Sequence, residues 1–355
     1  MECEKINAYF ITALSETSPQ ALPLGAACIA SSVKHNSLTK DFFSSSLYAF
    51  SLETCTDAKV ISEKIIEVFP NIKKEKCPVC MSVYVWNRNI LTDLVTILQK
   101  INNRLIFICG GPEATANPFS MKNFDYAIVG QGEESLPLLL HSLFIKKTDS
   151  FSIPGIYCPK KEIADTKVVR SCQPKVDTLF SPYLDGTLDP TSYGGALWEL
   201  ARGCPFKCSY CYESKGEKTI SYFPKERLDA EIDFFAKKDV PQIFVLDPTY
   251  NANKKKALEI LKVISKKLPR TFFYFEARAE FIDREMANAF AKIKCAVQFG
   301  LQSADENVLK NVNRSFNRKV FKRNVGFLND AGVVFGFDLI YGLPGDTFTG
   351  FKKSI

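Results

Sequence analysis

Three cysteines, Cys204, Cys208 and Cys211, stand in the run Arg202-Gly-Cys-Pro-Phe-Lys-Cys-Ser-Tyr-Cys-Tyr212, with a tyrosine just before the third. The spacing is C-x3-C-x2-C. Three thiolates on one short loop can hold three irons of a cubane cluster and leave the fourth iron open. An open iron can bind and reduce a ligand, so the loop is equipped for chemistry rather than passive electron storage. Competing chemistries fit less well. A structural zinc site takes four ligands, usually as two separated pairs, and the only two histidines, His35 and His141, lie far upstream. A disulfide framework belongs to secreted chains, and the N-terminus lacks the basic-then-apolar layout of a signal peptide. Cys77 and Cys80 form a C-x2-C pair that could ligate zinc or exchange disulfides. No second pair accompanies them and they lead into an apolar strand, which favours a place in the core.

The elements that would position the loop form two alternating series. In the first, strands are expected at Ile6–Thr12, Ser46–Leu52, Cys80–Trp86, Leu105–Cys109 and Tyr126–Val129. Helices are expected at Leu24–Val33, Ala58–Val68, Ile90–Ile101 and Leu136–Leu143. Five strands interleaved with helices imply a doubly wound parallel sheet, whose ligands sit beyond the carboxyl ends of the strands. From 146 to 193, Pro, Gly, Ser and Asp break the pattern, which reads as a linker with a small hairpin near Ile156-Tyr157 and Val168-Val169. The second series places strands at Ala196–Ala201, Gln242–Leu246, Thr271–Phe275, Ala296–Leu301 and Val333–Ile340, with helices between them. This is the pattern of a partial (β/α) barrel, with its site at the carboxyl ends of the strands. The cysteine loop comes directly after the first strand of that series. The expected layout is therefore 1–145, 146–193 and 194–355.

Composition supports a globular chain: 46% apolar and 24% charged residues, with no apolar run long enough to span a bilayer. A cytosolic location is expected, where thiols stay reduced. The formal charge of +7 is scattered in short groups such as Lys254-Lys255-Lys256, which argues for a solvated face rather than nucleic-acid binding.

On these residues, the segment Ala196 to Ile355 resembles radical S-adenosylmethionine (SAM) enzymes. Beyond the cysteines, the resemblance is carried by Phe244-Val-Leu-Asp-Pro-Thr249, Phe275-Glu-Ala-Arg278, Gly300-Leu-Gln-Ser303, and Asp338 with Tyr341-Gly-Leu-Pro-Gly345. It implies a [4Fe-4S] cluster on Cys204, Cys208 and Cys211, with SAM chelated on the open iron. SAM contacts are implied from Tyr210, Asp247, Thr249, Glu276, Arg278, Gln302, Ser303 and Asp338. The upstream series resembles the cobalamin-binding domain of class B radical SAM methyltransferases and of the anaerobic Mg-protoporphyrin cyclase and P-methylase group. There the implied corrinoid contacts are Leu24, Gly25, Ser82, Tyr84, Trp86, Gly110, Gly111, Pro112, Gly130, Gly132 and Glu133. The Asp-x-His-x-x-Gly signature is absent, so cobalamin is expected without a histidine lower ligand.

The implied activity is reductive cleavage of SAM to a 5′-deoxyadenosyl radical, used for cobalamin-dependent methyl transfer or a related modification of an unidentified substrate. The electron would come from a reductant such as flavodoxin or ferredoxin. Two alternatives stand beside it: methylthiolation of RNA, and a truncated corrinoid- or cluster-binding protein without turnover. The family's partial barrels have six strands, so the fifth strand being the last leads to the expectation of a truncated product or fragment.

Overall fold

The structure is a computed structural model that describes residues 4–148, 152–161, 167–213 and 218–355. Parts of the expected linker, 149–151 and 162–166, lie outside the described residues. The chain divides into two compact units, Met1–Asp189 and Pro190–Ile355.

The first unit is a doubly wound α/β sheet. Its elements are β1 (Ile6–Leu14), α1 (Leu24–His35), β2 (Phe43–Ser51), α2 (Ala58–Val68), β3 (Pro78–Ser82) and α3 (Arg88–Ile101). They continue with β4 (Ile106–Gly110), α4 (Pro112–Ala116), β5 (Tyr126–Ile128), α5 (Ser135–Leu140) and β6 (Ile156–Tyr157). The strand order is β2-β1-β3-β4-β5-β6. The first five strands run parallel, and β6 pairs antiparallel with β5. Both faces are covered, which is why the strands read as almost unbroken apolar runs. Tyr9, Ile11, Val79, Met81, Phe107 and Cys109 pack on the α2–α3 side. Ala8, Phe10, Cys80 and Ile108 pack on the α1–α5 side.

The third strand ends earlier than the sequence suggests. Asn87, fully buried, takes the Tyr84 N–H on Oδ1 at 2.8 Å and donates Nδ2 to Ala13 O and Ser82 O at 3.0 and 3.1 Å. That amide pulls 83–87 into a turn, so Tyr84, Val85 and Trp86 leave the sheet. The two-residue strand β6 likewise pairs with β5, while Tyr157 Oη bonds the Val169 backbone.

The second unit begins with β7 (Ala196–Trp198), β8 (Ala201–Arg202), β9 (Ser221–Tyr222), α6 (Lys225–Lys237), β10 (Gln242–Val245), α7 (Lys254–Lys267) and β11 (Phe272–Ala277). It continues with α8 (Arg284–Phe290), β12 (Lys294–Gln302), α9 (Glu306–Asn311), α10 (Arg318–Asp330), β13 (Val334–Leu339) and α11 (Phe348–Lys352). The sheet order β13-β12-β11-β10-β7 is sequential and parallel, the order of a partial (β/α) barrel. Helix starts are set by side-chain caps. Asn253, Asp283, Asp305, Asn317 and Thr347 each accept an N–H of the first turn of α7 to α11. Among the described residues no helix is long and apolar enough to cross a membrane.

Candidate functional site

The cysteine loop is held from several directions. Before it, Trp198 of β7 is buried and donates Nε1 to Glu231 at 2.8 Å, while Arg227 Nε meets the other oxygen of Glu231 at 3.1 Å. Just past β7, Leu200 and Ala201 donate their N–H groups to Asp247 Oδ1 at 2.8 and 3.1 Å. Within the loop, the Phe206 ring lies under the Arg278 guanidinium at 3.8 Å and stacks on Phe281 at 6.1 Å. Ser209 N–H bonds Val312 O at 3.0 Å, and Cys211 N–H closes a turn on Cys208 O at 3.1 Å. Arg314 completes the hold: Nη1 lies 3.8 Å from Cys208 Sγ and 3.4 Å from Tyr210 Oη, and Nη2 donates to Gly300 O.

Cys204 and Cys208 are buried and Cys211 is half-buried. Burial raises the Cys204 thiol; the Phe206 N–H opposes this, and the nearby Cys211, Cys208 and Glu213 reinforce it. Burial also pushes Tyr210 up to about 12, against the pull of Arg314. Each cysteine of a cubane ligates its own iron, so the loop must spread its sulfurs rather than converge them. Among the described residues no three His, Cys, Asp or Glu side chains converge on one metal-ion position. A set of three soft thiol donors fits an iron–sulfur cluster.

The strand ends sort by which face they present. Ile243 and Val245 of β10 and Phe273, Phe275 and Ala277 of β11 are buried, with Phe275 against Phe290 of α8. Phe244 and Tyr274 point to the opposite, inner face and stack at 4.1 Å, nearly parallel. Glu276 continues that face. Its register partner on β12 is Gln298, which donates Nε2 to Asp338 Oδ1 of β13 at 2.6 Å. Desolvation, then the charge of Asp338, raises the Glu276 carboxyl. Glu276, Gln298 and Asp338 thus form a polar band across three strands. Gln298 was missed from the sequence, although counting back two residues from Gly300 puts it on the same face. Gln302 sits at the register irregularity of β12 with φ of 68°, and among the described residues its buried Oε1 has no partner.

The other expected contacts use their polar groups on the chain itself. Asp247 shares the parity of Val245, so it lies on the helix-facing side, and burial pushes its carboxyl up to about 7. Thr249 donates to Pro248 O at 2.8 Å. Ser303, fully buried, accepts the Asp305 N–H at 3.1 Å. Arg278 pairs with Glu280 at 2.7 Å as well as covering Phe206. Arg314 and Phe206 carried no signal in the sequence beyond being a loop arginine and a loop aromatic.

In the first unit the sheet order reverses between β1 and β3, the place where open α/β sheets bind ligands. The turn after β3 presents Tyr84 and Trp86 stacked at 4.5 Å, with Trp86 half-exposed and Val85 76% exposed. This flat apolar platform fits the face of a corrin ring. The glycines nearby are used by the chain. A Cβ on Gly111, at φ of 99°, would stand 2.7 Å from Val83 O. Gly25 abuts Tyr84 Oη, Gly130 abuts Ser171 and Gly132 abuts Ile29. Leu24 and Glu133 are buried, Pro112 opens α4, Gly110 ends β4, and Ser82 O accepts from Thr12 and Asn87. His35 ends α1, pairs with Asp185 at 3.0 Å and stacks on Phe180 at 4.1 Å; His141 comes just after α5. Both lie at the helix ends opposite the carboxyl ends of the strands, so neither is placed to ligate a metal at the platform. Burial pushes Cys77 up to about 12 and raises Cys80 and Cys109 further, as expected of thiols committed to the core.

Residues 198–355 match the Radical SAM superfamily. The chain is 26% identical over 301 residues to the cobalamin-dependent radical SAM methyltransferase TokK of Streptomyces tokunonensis, covering 78% of this chain and 44% of that protein. It is 24% identical over 306 residues to the 2-(S-pantetheinyl)-carbapenam-3-carboxylate methyltransferase of Streptantibioticus cattleyicolor, again covering 78% and 44%. The chain therefore spans less than half the length of these curated relatives. The fold is shared with the cobalamin-dependent SAM radical enzyme OxsB, at TM-score 0.75 and 14% identity over 99% of this chain and 51% of that one. It is shared also with the SAM methyltransferase TsrM of Kitasatospora setae, at TM-score 0.73 and 14% identity over 98% and 70%.

Proposed function

We propose, on the premise that residues 198–355 belong to the radical SAM superfamily, that this chain holds a [4Fe-4S] cluster on Cys204, Cys208 and Cys211 and binds SAM at the inner strand ends. The same reading gives the first unit a cobalamin and the whole protein a radical methyl transfer or related modification of an unidentified substrate. The cluster, when bound, supplies the electron that cleaves SAM to a 5′-deoxyadenosyl radical, with a flavodoxin- or ferredoxin-like protein as the source.

The chain's own residues prepare that site. Asp247, Arg278 and Arg314 fix the loop so that its ordering entropy is spent in folding and not on binding the cluster. Arg314 directs an N–H at the sulfur of Cys208, which fixes the direction in which that sulfur points. The band of Glu276, Gln298 and Asp338 offers acceptors for hydroxyl or amine groups of SAM, beside the Phe244–Tyr274 stack. Val85 and Trp86 offer an apolar surface to a corrin. The single observation that carries the reading is the three-cysteine loop at the carboxyl end of the first strand of a sequential parallel sheet.

Anaerobic reconstitution with iron and sulfide tests it. Wild type should take up iron with a thiolate-to-iron absorption band and, with dithionite and SAM, release 5′-deoxyadenosine. The Cys204→Ala/Cys208→Ala/Cys211→Ala variant should do neither, and unchanged iron in that variant overturns the assignment. Retention of hydroxocobalamin by wild type and its loss on Trp86→Ala would support the corrinoid part.

A further inference from the structure

A concavity lies in the second unit, on the helix-facing side of the sheet. It is an open cleft with about 80 Å³ of sheltered space, between the β8–β9 ribbon and helices α6 and α7. Its walls are apolar, chiefly Phe223, Leu228, Ile260 and Val263, and none of the three cysteines lines it. Of the three carboxylates that line it, Asp229, Asp247 and Glu259, only Asp247 is buried. Asp247 is 4% exposed, and its Oδ1 is committed to the Leu200 and Ala201 N–H groups. Among the described residues its second oxygen has no hydrogen-bond partner, and that oxygen is not fully enclosed by the protein. It therefore has some access to the cleft that Asp247 lines. At the rim, Lys225 pairs with Asp229, and Lys256 Nζ sits 4.4 Å over the Tyr222 ring. Both lysines are thus engaged at the edge and leave Asp247 as the polar group of the floor.

An apolar cleft with a few convergent polar groups is the form of a small-molecule site. A buried carboxylate with one oxygen left over selects a donor-bearing head, and the hydrocarbon walls select an apolar tail. We propose that this cleft binds a small hydrophobic amine, with the ammonium on Asp247 and an aromatic or branched aliphatic tail against α6 and α7. The site is separate from the barrel's inner face because Asp247 keeps the parity of Val245, not of Phe244. Since Asp247 also holds the residues leading into the cysteine loop, an occupant would bear directly on that loop.

The test uses phenethylamine as probe on the full chain without cluster, so its outcome is independent of iron binding. Binding is monitored by the amide NMR signals of Leu200 and Ala201, which report on Asp247. Saturable shifts are expected with phenethylamine and much weaker ones with its neutral analogue 2-phenylethanol. Asp247→Asn keeps an acceptor for the two N–H groups and removes the charge; it should weaken amine binding roughly tenfold to a hundredfold. Ile260→Trp, a change at a half-exposed wall, should abolish binding by filling the cleft. No saturable shift in wild type, equal binding of amine and alcohol, or unchanged affinity in Asp247→Asn would each overturn the proposal.

Discussion

Replacing Asp247 by Asn should stabilise the protein, and by an amount that depends on pH. In an unfolded chain this carboxyl titrates near its ordinary 3.8, whereas in the folded chain burial pushes it up to about 7. The two backbone N–H donors oppose that shift and Glu199 adds to it, but desolvation wins. Between those two values the native state holds a proton that the unfolded state has lost. Stability therefore falls as pH rises from about 4 to about 7 and stays low above it. At about 1.4 kcal/mol per pH unit, the cost at pH 8 is roughly 4 kcal/mol. Asn keeps an oxygen for Leu200 and Ala201 and carries no charge to desolvate. Thermal unfolding monitored by circular dichroism should show Asp247→Asn above wild type by about 8–15 °C near pH 8 and by little near pH 4. A variant that is less stable at both pH values, or equally more stable at both, would refute the account of Asp247 as a charge carried into the interior to position the loop.

Glu231→Ala should cost about 1–3 kcal/mol in urea unfolding, because it leaves the buried Trp198 N–H without its acceptor and removes the Glu231 partner of Arg227. Gly111→Ala should lose about 1–3 kcal/mol through its left-handed φ and the close Val83 carbonyl. Gly110→Ala, whose Cβ would have its nearest neighbour at 4.0 Å, should be nearly neutral by the same measurement. In cluster-loaded protein, Arg314→Gln should move the midpoint potential to a more negative value in a dye-mediated titration, since it removes a positive donor from the Cys208 sulfur.

The fold was largely legible because the strands of both sheets are rich in apolar and aromatic residues and alternate with amphipathic helices. The same uniformity hid which way each strand end faces. Ile243-Phe-Val-Leu-Asp247 has no polar alternation, and nothing in it tells that Asp247 turns toward the helices while Phe244 turns inward. The third strand reads too long in the sequence for a related reason: Tyr84-Val85-Trp86 has strong β propensity, and only the buried Asn87 amide pulls it out of the sheet. Propensity is local, whereas that turn depends on Ala13, 74 residues away.

Charged residues at the carboxyl ends of barrel strands present one signature for two tasks. Asp247 and Arg278 occupy positions where ligand contact is expected, yet one grips the backbone leading into the cysteine loop and the other covers Phe206 within it. Arg314 does similar work from a loop 106 residues beyond Cys208. A loop of cysteines and small turns has little packing of its own, so its shape must come from such distant groups. A position in the sequence names the end of a strand; which partner a charge has found is a property of the fold. The inner band obeys the same logic in reverse. Glu276, Gln298 and Asp338 are engaged mainly with one another, across adjacent strands and on the surface a ligand would meet. Substituting these three should leave the cysteine loop in place, whereas removing the side chains of Asp247, Arg278 and Arg314 takes away its outside holds.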